Sequence, residues 1–286
     1  MSDSTESIRD QVRDGYATIA ESGSCHSRGG CCGPTMSAEK LANEIGYSEE
    51  DLAALPEGAN LGLSCGNPGL IARLQPGEVV VDLGSGAGFD AFLCGPKVGT
   101  EGRVIGVDMT HEMLAKARAN LVGYTERTGL ANIEFRLGEI EHLPLADNSV
   151  DVIMSNCVIN LSIDKQQVWR EIARVLKPGG RVAVSDIALF KPLPDQVRAN
   201  IEGWIGCVSG AVLVDDYLAH MEAVGLSQIA VIPKKDYVET LTSEDDPFYQ
   251  QIRAGLPEGA GPSDYVTSIN ASAVKPAPCC SGTSCC

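Results

Sequence analysis

Eleven cysteines in a chain of 286 residues are the side chains here with the most distinctive chemistry. Thiolates are soft metal ligands and two-electron redox groups, and reduced thiols kept in quantity point to one of those two uses. Three of them stand singly in separate segments: Cys65 in NLGLSCGNP, Cys157 in SNCVINL and Cys207 in GWIGCVSGA. If folding brings these segments to one place, they form a three-thiol site; taken singly, each reads as a small buried hydrophobe, the commonest fate of a cysteine outside disulfides. Cys94, within DAFLCGPKV, fits that second reading. Cys31 and Cys32 form a vicinal pair in RGGCCGP, and four more occupy the tail CCSGTSCC at 279–286, either a soft-metal trap or a dispensable end. The tail lacks the C-x2-C spacing of a tetrahedral zinc site and has no histidine nearby. His111, His142 and His220 read as surface or helix-end residues, and His26, beside Cys25, is isolated.

A second constellation lies in VVVDLGSGAGFD, where an apolar strand ends in Asp82 and runs into Gly84, Ser85, Gly86 and Gly88 before a helical segment. Glycine at such positions permits a sharp turn and close backbone approach to a ligand. The next strand ends at Asp108, placed to accept hydrogen bonds from ribose hydroxyls, so the pair of features indicates an adenosine-containing ligand. Phe89 follows Gly88 where a dinucleotide fingerprint keeps glycine one position later. A carboxylate at Asp82 suits a cationic ligand better than a pyrophosphate.

These residues need a parallel sheet to hold them. Strand patterns occur at 79–84, 103–109, 133–138, 150–156 and 181–187, separated by amphipathic runs, the alternation of βαβ units. One such run, 165–176, puts Val168, Ile172, Val175 and Leu176 on one face and is expected to stop at the turn Pro178-Gly179-Gly180. Residues 1–75 read as an N-terminal extension of short helices broken by glycine-rich turns, with Ser37 and Ser48 as N-caps and Asp51 completing a capping box. Residues 76–190 read as the ligand-binding core. Residues 191–275 carry a helical pattern around DDYLAHMEAVGL and two strand-like runs, SQIAVIP and YVTSINASAVKP, which complete the sheet, and 276–286 read as a flexible tail.

Composition narrows the partners. With 44% hydrophobic and 21% charged residues, the chain is of ordinary globular type. A net charge of −16 disfavours phosphate backbones and anionic lipid, so neither nucleic acid nor membrane is expected as a partner. The acidic start MSDSTESIRD has no basic n-region, and no apolar run is long enough to span a bilayer. The expectation is a cytoplasmic protein with thiols reduced at rest.

The segments hxDLGSGxG, Asp108, GEIEHLPLADNSVDVIMSN and RVLKPGGRVAVSD resemble, in order and spacing, the class I S-adenosylmethionine methyltransferases. The resemblance implies an α/β, doubly wound, mostly parallel seven-stranded sheet with an antiparallel last strand. It also implies a cofactor site built from Asp82, Gly84, Ser85, Gly86, Gly88, Asp108 and Met109, with Ile140 and Glu141 flanking the adenine. NLGLSCGNP, SNCVINL and WIGCVSGA further resemble the cysteine-bearing segments of arsenite S-adenosylmethionine methyltransferases, over most of residues 30–275. That likeness implies Cys65, Cys157 and Cys207 as ligands of trivalent arsenic and Cys31 or Cys32 as a redox partner, for example of Cys65. It also implies arsenite and methylated arsenicals as substrates and products, and an external thiol reductant (thioredoxin or glutathione) as co-substrate. Three thiolates leave arsenic a lone pair able to attack a sulfonium methyl without a general base. The transfer formally oxidises arsenic, so two electrons must return from thiols. The competing readings are a methyltransferase of the same fold acting on a small organic acceptor, and a non-catalytic thiol-rich arsenic- or zinc-binding protein. The three single cysteines discriminate among them.

Overall fold

An almost unbroken apolar run, Val79–Leu83, has the composition of a strand covered on both faces, and it forms the first strand, β1. The computed structural model describes residues 2–22, 37–198, 207–234, 250 and 253–277. In chain order its main elements are α1 (Ser2–Ser22), α2 (Ala38–Glu44), α3 (Glu49–Ala53), α4 (Pro68–Ala72), β1, α5 (Phe89–Val98), β2 (Arg103–Asp108), α6 (His111–Ala119), α7 (Leu121–Thr128), β3 (Ile133–Leu137), β4 (Val150–Asn156), α8 (Lys165–Val175), β5 (Leu176–Leu189), α9 (Asp195–Arg198), α10 (Val214–Ala223), β6 (Ser227–Lys234) and β7 (Val266–Val274).

The seven strands form one sheet in the order β3-β2-β1-β4-β5-β7-β6. The first five run parallel, and β7 is antiparallel to both β5 and β6. The doubly wound expectation holds, including the reversed strand. Between β1 and β4 the strand order reverses, and the chain leaves these two strands toward opposite faces, which opens a crevice at their C-terminal ends.

Helices cover both faces. On one, Val168, Trp169, Ile172 and Val175 of α8 are buried among Val81, Ile153, Val184 and Ile269. Asp164 caps α8 by accepting from the Gln167 N–H at 2.9 Å, and Trp169 meets Tyr217 of α10 edge-on, with centroids 5.7 Å apart. On the other face Phe92, Leu114, Tyr124 and Phe135 pack against Val80, Val104 and Met154, with Cys94 buried among them as a hydrophobe.

Two expectations are corrected. The helix at 165–176 does not run on to a Pro-Gly-Gly turn: Leu176 is already extended and opens β5, pairing with Val150 before a register shift brings Arg181 opposite Val152. The Lys177–Gly180 stretch belongs to the strand because its backbone bonds to the end of β7, through Gly179 N–H to the Lys275 carbonyl and Lys275 N–H to that of Gly180. The N-terminal extension is also not only short helices. The N-caps at Ser37 and Ser48 and the Ser48–Asp51 capping box are present, but they follow a 21-residue helix, α1. Its Tyr16, Ile19 and Ala20 pack against Leu61, Ala87 and Met113.

Among the described residues no helix is long and apolar enough to cross a membrane. Trp169 is fully buried in the larger core cluster, so Trp169→Ala should cost about 3–5 kcal/mol of unfolding free energy in urea titration.

Candidate functional site

The crevice at the C-terminal ends of β1, β2 and β4 spans about 1040 Å³ together with its solvent-open mouth and is lined by Asp82, Gly84, Ser85, Gly86, Asp108, Met109, Ile140, Glu141 and Cys157, among others. Of the nine residues assigned to a cofactor from sequence, only Gly88 does not line it. Gly88 starts α5 with φ +93, and a Cβ there would lie 2.6 Å from Phe92 and 2.8 Å from Phe135. It is glycine for helix entry and packing.

The Asp108 carboxylate is held in place by backbone donors, Oδ2 accepting from Gly86 N–H at 2.9 Å and Oδ1 from Thr110 N–H at 2.8 Å. This ties the glycine loop to the tip of β2. Ser85 Oγ is buried with no hydrogen-bond partner among the described residues. An orphaned hydroxyl lining the same cleft as the Asp82 and Asp108 carboxylates fits a bound polar group of the adenosine type. Burial pushes the Asp82 carboxyl well above the usual carboxylate range, and the nearby Asp90 and Asp108 charges push it further. Asp108 is raised by burial and partly restored by its backbone donors. A cationic ligand would relieve this crowding of acids, as the sequence reading anticipated.

Among the lining residues outside the expected set, two come from α1. Arg9 of α1 lines the crevice and pairs with Glu139 at 3.2 Å and Glu141 at 3.6 Å, and Tyr16 lines it from the same helix. Glu141 is also held by Ser162, whose hydroxyl donates to it at 2.6 Å.

The three single cysteines do meet. Cys65, Cys157 and Cys207 belong to one buried cluster with Ile187, Leu189 and Val266, beyond the tips of β4 and β5. Cys65 N–H donates to Asn156 Oδ1 at 3.1 Å and its carbonyl accepts from Ser268 Oγ at 3.2 Å. The following Gly66 lies so close to β5 that a Cβ would fall 2.6 Å from Ser185. Cys157 N–H bonds to the Ser185 carbonyl, and Cys207 Sγ donates to the Cys157 carbonyl at 2.8 Å. Cys157 and Cys207 both adopt left-handed backbone conformations, φ +59 and +62. Such φ values are uncommon outside glycine, and strained backbone of this kind clusters at functional sites.

Cys65 and Cys157 are joined as a disulfide. This differs from the expected pairing of Cys65 with Cys31 or Cys32; both of those, and the tail cysteines, lie outside the described residues.

Sequence reading missed the polar groups that support the thiols. Asn156 donates to Asp90 Oδ2 and to the Gly66 carbonyl, both at 2.9 Å, while Tyr47 donates to Asp90 Oδ1 at 2.5 Å. Asp186, fully buried, accepts from Asn160 Nδ2 and from its own neighbour's N–H on Ile187, both at 2.9 Å. A ligand atom of Asp186 and the sulfurs of Cys65 and Cys157 lie within 4.8 Å of one another. Burial carries the Asp186 carboxyl from 3.8 to about 7, and burial lowers the Lys165 ammonium, near Asp186 and Cys207, to about 8. The available signal was positional: Asp186 ends the VSD run on a strand, the same edge as Asp82 and Asp108.

Strand order, glycine loop and paired strand-tip acids define a methyltransferase-type nucleoside-cofactor fold. The family model described as "Methyltransferase domain" matches residues 74–244, and the chain belongs to that family. The arsenite methyltransferase of Halobacterium salinarum is 46% identical over 84% of this chain and 62% of its own length, and that of Aquipseudomonas alcaligenes 38% over 73% and 59%. This chain thus spans about three fifths of the length of those relatives. Among solved structures, the arsenic (III) S-adenosylmethionine methyltransferase of Chlamydomonas reinhardtii superposes with a TM-score of 0.62 at 28% identity, over 84% of this chain and 74% of that one.

Asp186 provides a pH test. Because its folded pKa is raised, the native state holds a proton that the unfolded chain has released, and stability is lost as pH rises through the window from about 4 to about 7. Asp186→Asn lacks this titration. Its unfolding free energy relative to the unsubstituted protein should therefore rise across that window, by up to about 1.4 kcal/mol per pH unit, and level off above it in urea titrations.

Proposed function

We propose that this chain is an S-adenosylmethionine-dependent arsenite methyltransferase that converts arsenite to methylated arsenicals. The observation that carries the reading is the gathering of Cys65, Cys157 and Cys207 into one buried cluster whose member Cys157 also lines the cofactor crevice. The likeness to arsenite methyltransferases over 84% of the chain supports it.

The thiols exchange with the three hydroxyls of arsenite, each releasing water, to give a neutral, pyramidal trithiolate with a lone pair on arsenic. Bound S-adenosylmethionine supplies an electrophilic methyl group. Asp108 is set to accept the ribose hydroxyls, Asp82 and Asp90 place negative charge where a cationic ligand is stabilised, and Ile140 and Glu141 flank the adenine. Asn156, bonded to both Asp90 and Cys65, fixes the thiol loop against the crevice. Holding the reactants in a near-attack orientation can lower the barrier by about 7–11 kcal/mol. Burial by Ile187, Leu189 and Val266 keeps water from the arsenic centre.

Two of the proposed arsenic ligands share a disulfide, which is the oxidised form of the site. Opening it takes two electrons and two protons from an external thiol reductant of the thioredoxin or glutathione kind, itself oxidised to a disulfide. Cys31 or Cys32 is the proposed further member of this redox relay, and the work is placed in the cytoplasm, where such reductants are held.

Mass spectrometry of arsenic species after incubation with arsenite, S-adenosylmethionine and a dithiol should find methylated arsenicals. Cys65→Ser, Cys157→Ser and Cys207→Ser should each abolish them while binding of S-adenosylmethionine is retained; full methylation by the Cys157 variant would refute the reading. Asp108→Asn should weaken S-adenosylmethionine binding about 10- to 100-fold, the loss of charge-assisted hydrogen bonds worth about 1.5–3 kcal/mol, and leave arsenite binding unchanged in calorimetry.

A further inference from the structure

We propose that Cys65, Cys157 and Asp186 form a second-use site for a divalent thiophilic cation of the zinc, cobalt or cadmium type, which shares two thiols with the arsenite site but requires the carboxylate. The three ligand atoms lie within 4.8 Å of one another and all three residues are buried. Reduction separates the two sulfurs from bonding distance, as a shared ion between them requires.

The donor chemistry separates the two ligands. Trivalent arsenic is satisfied by three sulfurs and keeps a lone pair in the fourth direction, so it has no use for an oxygen donor. A divalent d-block ion takes four donors in tetrahedral geometry and accepts carboxylate oxygen as well as sulfur. Asp186 is suited to that role because its orientation is already fixed. The Asn160 side chain and the Ile187 N–H donate to Oδ1, while Tyr217 donates to Oδ2 at 3.3 Å, and a carboxylate oxygen with two lone pairs can still bind a cation. Charge also balances. Two thiolates, a carboxylate and a divalent ion sum to −1, and the Lys165 ammonium lies near enough to act electrostatically on Asp186.

Loading begins from the reduced chain. A phosphine reductant gives two electrons to the Cys65–Cys157 bond and becomes the phosphine oxide with oxygen from water, leaving two thiols. The cation then displaces both thiol protons to buffer, together with the Asp186 proton wherever the carboxyl still holds it, as it binds two thiolates and the carboxylate. Binding stands independently of the proposed methylation activity; only the consequence, competition with arsenite, rests on it.

The test uses full-length chain reduced with a phosphine, with Cys25, Cys31, Cys32 and the four tail cysteines changed to serine to remove other thiols. Titration with cobalt(II) should bring up ligand-field bands of tetrahedral intensity and a thiolate charge-transfer band at one equivalent. Asp186→Asn should weaken cobalt binding by at least about 10-fold while arsenite affinity, which also reports folding, stays within about 3-fold. Cys157→Ser should lose both. Equal cobalt affinity in the Asp186 variant, or octahedral spectra without charge transfer, would overturn the site. If the Asp186 variant does not fold, infrared difference spectra of the parent labelled with carboxyl-13C aspartate decide it: cation binding must shift a buried aspartate band, and no shift rejects the proposal. In the unsubstituted chain, zinc should raise the arsenite concentration for half-maximal methylation. A zinc-insensitive rate beside intact cobalt binding would count against the competition, while absent methylation beside intact cobalt binding would count against the activity assignment alone.

Discussion

The carboxamide of Asn156 joins the two halves of the site. Its Nδ2 donates to Asp90 in the crevice and to the Gly66 carbonyl, and its Oδ1 accepts the Cys65 N–H. One side chain at the tip of β4 therefore sets the distance between the carboxylate floor of the crevice and the loop that carries the first thiol. Neither half is organised by its own segment. The Cys65 loop has no regular structure and is held by β4, β5 and β7 through Asn156, Ser185 and Ser268. An amide is well suited to such a bridge because it donates and accepts at once without adding charge to a region already rich in acids.

That acidity is the second constraint. Asp82, Asp90, Asp108 and Asp186 are all buried at or near the same sheet edge. Burial raises each of their carboxyls, so the folded protein stores an electrostatic cost there. Backbone N–H groups, Tyr47 and Asn156 offset part of it. The remainder favours whatever brings positive charge into the crevice, and the same logic extends to the carboxylate behind the thiols.

The thiol cluster shows a different economy. It is enclosed by aliphatic side chains and contains two cysteines in left-handed backbone conformations. Surrounding bonds hold those conformations: Cys157 through Ser185, and Cys207 through the Cys157 carbonyl. Preorganisation here is a property of three strand ends acting together.

Much of this was legible from residues alone. The period of apolar runs determined the parallel strands, and the glycine loop with Asp82 and Asp108 determined where a nucleoside-type ligand belongs, because both depend on short-range pattern and on strand tips. The three cysteines were recognisable as candidates. What only tertiary structure decided is their company: that Cys65 pairs with Cys157, that Asp186 and Lys165 lie behind them, and that α1 supplies Arg9 and Tyr16 to the crevice. The Cys65–Cys157 contact spans 92 residues, and no local propensity encodes a contact of that range. It exists because the loop carrying Cys65 crosses the sheet edge, tied to the end of β4 by Asn156 and to β7 by Ser268, and Cys157 emerges from β4 at that same edge.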